Sequence, residues 1–83
     1  MNTLQPVFLA FMEIRETFAR NLRTLRQAKR MSQEELAHRA DIDRTYISSL
    51  ERCVYSPSIE VLDRLAIALG VEPADLLKRD SLE

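Results

Sequence analysis

Arg44, Thr45, Ser48 and Ser49 are the residues whose types and spacing most directly carry chemistry. A guanidinium is planar and fits guanine O6 and N7 with two parallel hydrogen bonds, the commonest specific contact in the major groove. Thr45 adds a hydroxyl and a methyl, suited to a thymine methyl or a phosphate. Ser48 and Ser49 follow one turn later and are small enough to permit close approach. Ser32 and Gln33 open the preceding segment. If a helix starts there, its unsatisfied N–H groups and positive dipole end attract a phosphate. Tyr46 can pack its ring inward and point its hydroxyl at a phosphate, or serve only as core. With Arg52, these residues define a base-reading set of Arg44, Thr45, Ser48 and Ser49, and a phosphate set of Ser32, Gln33, Tyr46 and Arg52.

Two short helices and a tight turn must position them. Ser32 can cap the first helix, and Glu35, three residues on, can reach back to the Ser32 N–H as a capping box. Leu36, Ala37 and Ala40 then share one face. The Asp41-Ile42-Asp43 step breaks the pattern: Ile42 can pack between the helices and Asp43 can cap the next. Tyr46, Ile47 and Leu50 give the second helix its apolar stripe and leave Arg44, Thr45, Ser48 and Ser49 on the other side. This is the layout of a helix-turn-helix, in which one helix crosses the DNA backbone and the next enters the major groove.

The chain resembles a lambda-repressor-like helix-turn-helix domain of the Cro/CI (XRE) family. The resemblance rests on Leu25-Arg26, Met31-Ser32-Gln33-Glu34-Glu35-Leu36-Ala37, Asp43-Arg44-Thr45-Tyr46-Ile47-Ser48, Leu50-Glu51-Arg52 and Pro57-Ser58, within residues 17–77. The run from Asp43 to Ser48 is especially similar to controller proteins of restriction-modification systems. The resemblance implies an all-α, five-helix domain with its motif at about residues 33–52. It also implies an Arg26–Glu51 ion pair locking the first helix to the recognition helix. Gln33 resembles the glutamine that grips a phosphate and braces the first residue of the recognition helix. Two positions where the family usually has glycine hold Asp41 and Cys53; both are left-handed positions, which Asp tolerates better than Cys. The loop after Arg52, often basic in the family, carries Val54 and Tyr55.

Eighty-three residues make one domain with a small core, and a composition with one glycine and few aromatics favours a helical bundle. The net charge of −1 is unevenly spread: residues 1–52 hold nine Lys/Arg against seven Asp/Glu, and residues 53–83 hold three against six. Residues 20–30 hold five basic side chains and no acid, which suits a protein with one DNA-facing side. A single cysteine fits a reducing cytoplasm, and no apolar run approaches the ~20 residues that span a bilayer.

Residues 1–12 form an apolar extension outside the resemblance. They read either as a leader upstream of the natural start at Met12, or as an ordered arm covering a groove or a partner subunit. The domain proper is residues 13–79. Its first helix starts at about Glu13 or Thr17 and ends at Ala28, with Phe18, Leu22 and Leu25 on one face. A fourth helix is capped by Ser58, buries Ile59, Leu62, Leu65, Ala66 and Leu69, and stops at Gly70. Pro73 opens a last short helix, whose Leu76 and Leu77 close the core. Residues 80–83 read as a tail, with Ser81-Leu82-Glu83 a possible cloning remnant.

One short recognition helix contacts too few base pairs for a specific regulator, so a homodimer on a palindromic operator is expected. Tyr55, Val61, Ala68, Val71 and Leu77 are candidates for its interface, with residues 7–11 as a further contributor. Val61 and Ala68 are chosen because they lie off the expected stripe. His38 and Cys53 have no partners at metal-ligand spacing, so no metal, cofactor, small-molecule ligand or catalytic residue is expected. The readings that compete with a transcriptional regulator are an antitoxin-type autorepressor and a protein-interaction module that keeps the fold without binding DNA.

Overall fold

Five helices follow one another among the described residues: α1 (Leu4–Ala28), α2 (Gln33–Ala40), α3 (Arg44–Glu51), α4 (Ile59–Leu69) and α5 (Pro73–Leu77). The structure is a computed structural model that describes the backbone of residues 4–79 and the side chains of residues 13–79. The expected roles of residues 7–11 and of Ser81, Leu82 and Glu83 concern side chains outside that range.

α1 begins at Leu4, not at Glu13 or Thr17. The helix thus continues through most of the stretch taken as a separate extension. Pro6 falls in its first turn, where an N–H has no helical acceptor to lose, and no helix breaker follows before Ala28. α1 packs on α3 and α5, α2 on α3 and α4, and α4 on α5. The core comprises Phe18 and Leu22 of α1, Leu36 of α2, Ile47 and Leu50 of α3, Leu65 and Leu69 of α4, and Leu76 of α5, all essentially without solvent contact. Burying each such side chain contributes roughly 1.5–3 kcal/mol.

Each of the first four helices leaves through the same turn. Arg30, Asp41, Cys53 and Gly70 all have left-handed backbones, with φ of 59°, 58°, 63° and 71°. The residue after each donates back five positions: Met31 to the Arg26 carbonyl, Ile42 to Ala37, Val54 to Ser49 and Val71 to Ala66, at 2.9–3.1 Å. These are Schellman exits, which satisfy carbonyls the helix leaves open. Asp41 and Cys53 take the conformation their departure from glycine required. Arg30 takes it too, with no glycine signal to announce it.

Two expectations about apolar faces are corrected. Ile59 is 81 % exposed and does not join the stripe of α4, because as the first residue of that helix it precedes the turn that seats against the core. Leu77 remains 39 % exposed where Leu76 is fully buried: it is the last residue of the five-residue α5, about 100° around the helix from Leu76 and on the edge of the face that seats against the core. Val61 and Ala68, read as off the stripe, are partly buried against the core, as is Val71, the third of these interface candidates.

Candidate nucleic-acid interface

Local capping sets the two motif helices. Ser32 Oγ accepts the Glu35 N–H at 2.9 Å and starts α2. The reciprocal half of the expected capping box is replaced: Glu35 turns forward and its carboxylate accepts from Arg39 at 2.6 Å, one turn along the same helix. Asp43 caps α3, its Oδ1 accepting from the Thr45 N–H at 2.7 Å and also from the Thr45 hydroxyl. These bonds favour the ionised carboxylate and hold the Asp43 pKa below its ordinary value. Arg64 of α4 donates to the Asp41 carbonyl at 3.1 Å and ties the turn between the motif helices to the rest of the bundle.

The outer face of α3 carries Arg44 and Thr45, both exposed, then Ser48, half-buried, and Arg52, exposed just past the helix end. Ser49 is half-buried beside them. Thr45 has committed its hydroxyl to Asp43, which leaves its methyl as the group for outward contact. Tyr46 is half-buried and packs against the core, its ring 6.0 Å from that of Tyr55 at a tilt of 49°. Ser32 is exposed and Gln33 half-buried at the start of α2.

The opposite end of α3 is anchored. Glu51 is only 4 % exposed. Its Oε2 accepts from Arg26 Nε at 2.6 Å, and its Oε1 from Arg26 Nη2 at 3.0 Å, a two-pronged pair between α1 and α3. Arg26 Nη1 also donates to the Met31 carbonyl at 2.8 Å, extending the anchor to the exit of α1. The hydrogen bonds that Arg26 donates to the Glu51 carboxylate raise its pKa above the ordinary value, so the guanidinium keeps its charge at every working pH. Arg23 adds a donor to the Glu51 main-chain carbonyl at 3.2 Å. The Gln33 amide donates to Glu51 Oε1 at 3.1 Å. Gln33 therefore holds the last residue of the recognition helix, where bracing of the first was expected.

Sequence reasoning missed three polar tethers: Arg23 to Glu51, Arg64 to Asp41, and Asn21, which donates to the Leu76 and Lys78 carbonyls at 3.0 and 2.9 Å and ends α5. Only a polar residue beside an apolar stripe marks such positions in a sequence. His38 is exposed and Cys53 half-buried with a free thiol. Among the described residues no three His, Cys, Asp or Glu side chains gather as a metal site, and no helix is long and apolar enough to cross a membrane.

Comparison with known proteins matches this geometry. The helix-turn-helix family HTH_3 covers residues 22–76. Control protein C.BamHI of Bacillus amyloliquefaciens is 45 % identical over 65 residues, 77 % of this chain and 80 % of that protein. Control protein C.SmaI of Serratia marcescens is 39 % identical over 75 residues, 90 % and 89 % of the two chains. The crystal structure of the restriction-modification controller protein C.AhdI from Aeromonas hydrophila superposes with a TM-score of 0.73 at 40 % identity, over 75 % of this chain and 94 % of that one. An exposed arginine at the start of an anchored second motif helix, on a five-helix scaffold shared with these regulators, places the chain: it belongs to the Cro/CI-type (XRE) helix-turn-helix family and is a DNA-binding transcriptional regulator.

Proposed function

We propose that this chain is a cytoplasmic restriction-modification controller without enzymatic activity, binding a palindromic operator as a homodimer. The observation that carries the reading is the asymmetry of α3. Its first turn presents Arg44 and Thr45 to solvent, and its last residue is tied to α1 and α2. Arg44 reads a guanine edge, the Thr45 methyl meets a thymine methyl, and Ser48 and Ser49 let the helix sit close. Ser32, Gln33, Tyr46 and Arg52 contact phosphate. The control proteins among its relatives support the restriction-modification assignment.

Two copies read two half-sites about 34–36 Å apart, one helical turn. Tyr55 is 54 % exposed and Leu77 39 %, which supports their place in the pairing surface, while Val61, Ala68 and Val71 contribute outer edges only. Ile67, 71 % exposed on α4, joins them. Selection of bound duplexes from a random pool tests the reading. The purified chain should enrich two inverted half-sites one turn apart, and sedimentation at micromolar concentration should give a dimer. Enrichment of an unpaired site, with a monomer on and off DNA, would overturn it.

A further inference from the structure

Glu51 is buried at the far end of α3 from Arg44, yet it bonds the one side chain of α2 assigned above to a phosphate. We propose that Glu51 is a positioning residue for DNA binding, acting through Gln33: it selects which end of the Gln33 amide faces the DNA. The inference rests on the reading that Gln33 contacts phosphate.

A glutamine amide has two faces of opposite character. Its NH2 group offers two donors, which suit a phosphate; its carbonyl oxygen is an acceptor, which a phosphate repels. Half a turn about the last side-chain torsion exchanges them, and that torsion has two broad, nearly equivalent wells. In water nothing chooses between the two. Here Gln33 Nε2 lies 3.1 Å from Glu51 Oε1. Exchange would bring the amide oxygen against a buried carboxylate oxygen, two acceptors with no proton between them. Glu51 cannot swing away, because Arg26 Nε and Nη2 hold both of its oxygens at 2.6 and 3.0 Å. One Nε2 proton is therefore spent on Glu51, and the second is held in a fixed direction for an acceptor outside. Arg26 occupies both oxygens of Glu51 and Arg23 Nε lies 3.8 Å from Oε1, so the fold does not need Gln33 to satisfy the carboxylate. The bond serves the glutamine.

The test joins NMR of the unaltered chain to a double-mutant cycle on operator DNA. In the free protein, one Gln33 Nε2 proton should resonate downfield of a solvated glutamine's and exchange slowly; a solvated signature overturns the proposal without any mutation. Gln33→Ala should weaken operator binding about fivefold, the worth of one ordinary hydrogen bond. Glu51→Gln should weaken it as well, and by a clearly smaller factor when residue 33 is already alanine. Equal factors in both backgrounds overturn the positioning role. No effect of Gln33→Ala on binding overturns instead the phosphate contact on which the proposal stands. Because Glu51→Gln also strains the fold, titrations are run well below its melting point, and the NMR signal decides the matter if the variant does not fold.

Discussion

The two ends of the recognition helix are built on opposite terms. At its start, Asp43 caps from an exposed position and Arg44 and Thr45 face solvent. At its end, Glu51 is buried and receives donors from α1 and α2. A helix of eight residues is too short to be stable alone, so its direction must come from tertiary ties, and these are concentrated where they leave the reading end unobstructed. Anchoring and reading are thus separated by about two turns of helix. Stability and base preference should respond to different residues, with Glu51 reaching DNA affinity only through Gln33.

The sharpest break of that separation is at the anchored end. Glu51→Ala leaves the Arg26 guanidinium, whose side chain is 12 % exposed, without its counter-ion. Loss of one partner of a buried pair costs about 3–5 kcal/mol, a large share of the ~5–15 kcal/mol that holds a domain together. Chemical denaturation should show that loss, and a cost under about 1 kcal/mol would show that the pair does not anchor the helix. At the reading end the outcome reverses. Arg44→Ala should cost roughly 1–3 kcal/mol on the operator and relax preference at one base pair, with the melting temperature unmoved. A fall in stability of similar size would mean that Arg44 holds the fold rather than the DNA.

Much of this division could be read from the sequence, and the rest could not, for a physical reason. Phe18, Leu22 and Leu25 at helical spacing, Ser32 and Asp43 as caps, and Ser58 and Gly70 around α4 are local signals, and the helices form where those signals stand. Glu35 had two local options, the Ser32 N–H behind it and Arg39 ahead, that differ by a few tenths of a kcal/mol; it took the second. The direction of the Gln33 amide depends on a carboxylate 18 residues away, and the Arg64 tether on a carbonyl 23 away. Neither is encoded in spacing. The exposure of Arg44 and Thr45 followed from the stripe of Ile47 and Leu50 on the other side. Ile59 misled because a stripe is defined only once a helix has made a turn.

A milder way to sharpen the comparison uses the helix exits at Cys53 and Arg30, whose own side chains make none of the anchoring bonds described above. Cys53 and Arg30 hold left-handed backbones that cost a residue with a Cβ roughly 1–2 kcal/mol. Glycine removes that cost but adds freedom to the unfolded chain, worth about 0.4–1 kcal/mol in the other direction. Cys53→Gly and Arg30→Gly should each therefore stabilise by a net ~0.5–1 kcal/mol. Equilibrium denaturation in reducing buffer measures it. Cys53→Gly should leave operator preference intact, since the residue lies beyond the anchored end; a changed preference would show that the exit of α3 helps to aim its start.

The smallest effect is a pH dependence at the reading end. Asp43 accepts both the N–H and the hydroxyl of Thr45, which lowers its pKa in the folded chain. The unfolded chain has no such bonds, so its carboxyl protonates first as the solution is acidified. The stabilisation this gives is therefore complete above the ordinary carboxylate range and is lost as pH falls through the lowered folded value. Asp43→Asn keeps a side-chain oxygen to cap α3 and removes the titration. Wild type should exceed this variant in melting temperature at neutral pH, and the gap should close on acidification, with no change between pH 6 and 8. Every other ionisable side chain is common to the two proteins and cancels in the difference. A gap that stays constant down to strongly acid pH would show that the ionised cap contributes nothing, and that α3 is held from its far end alone.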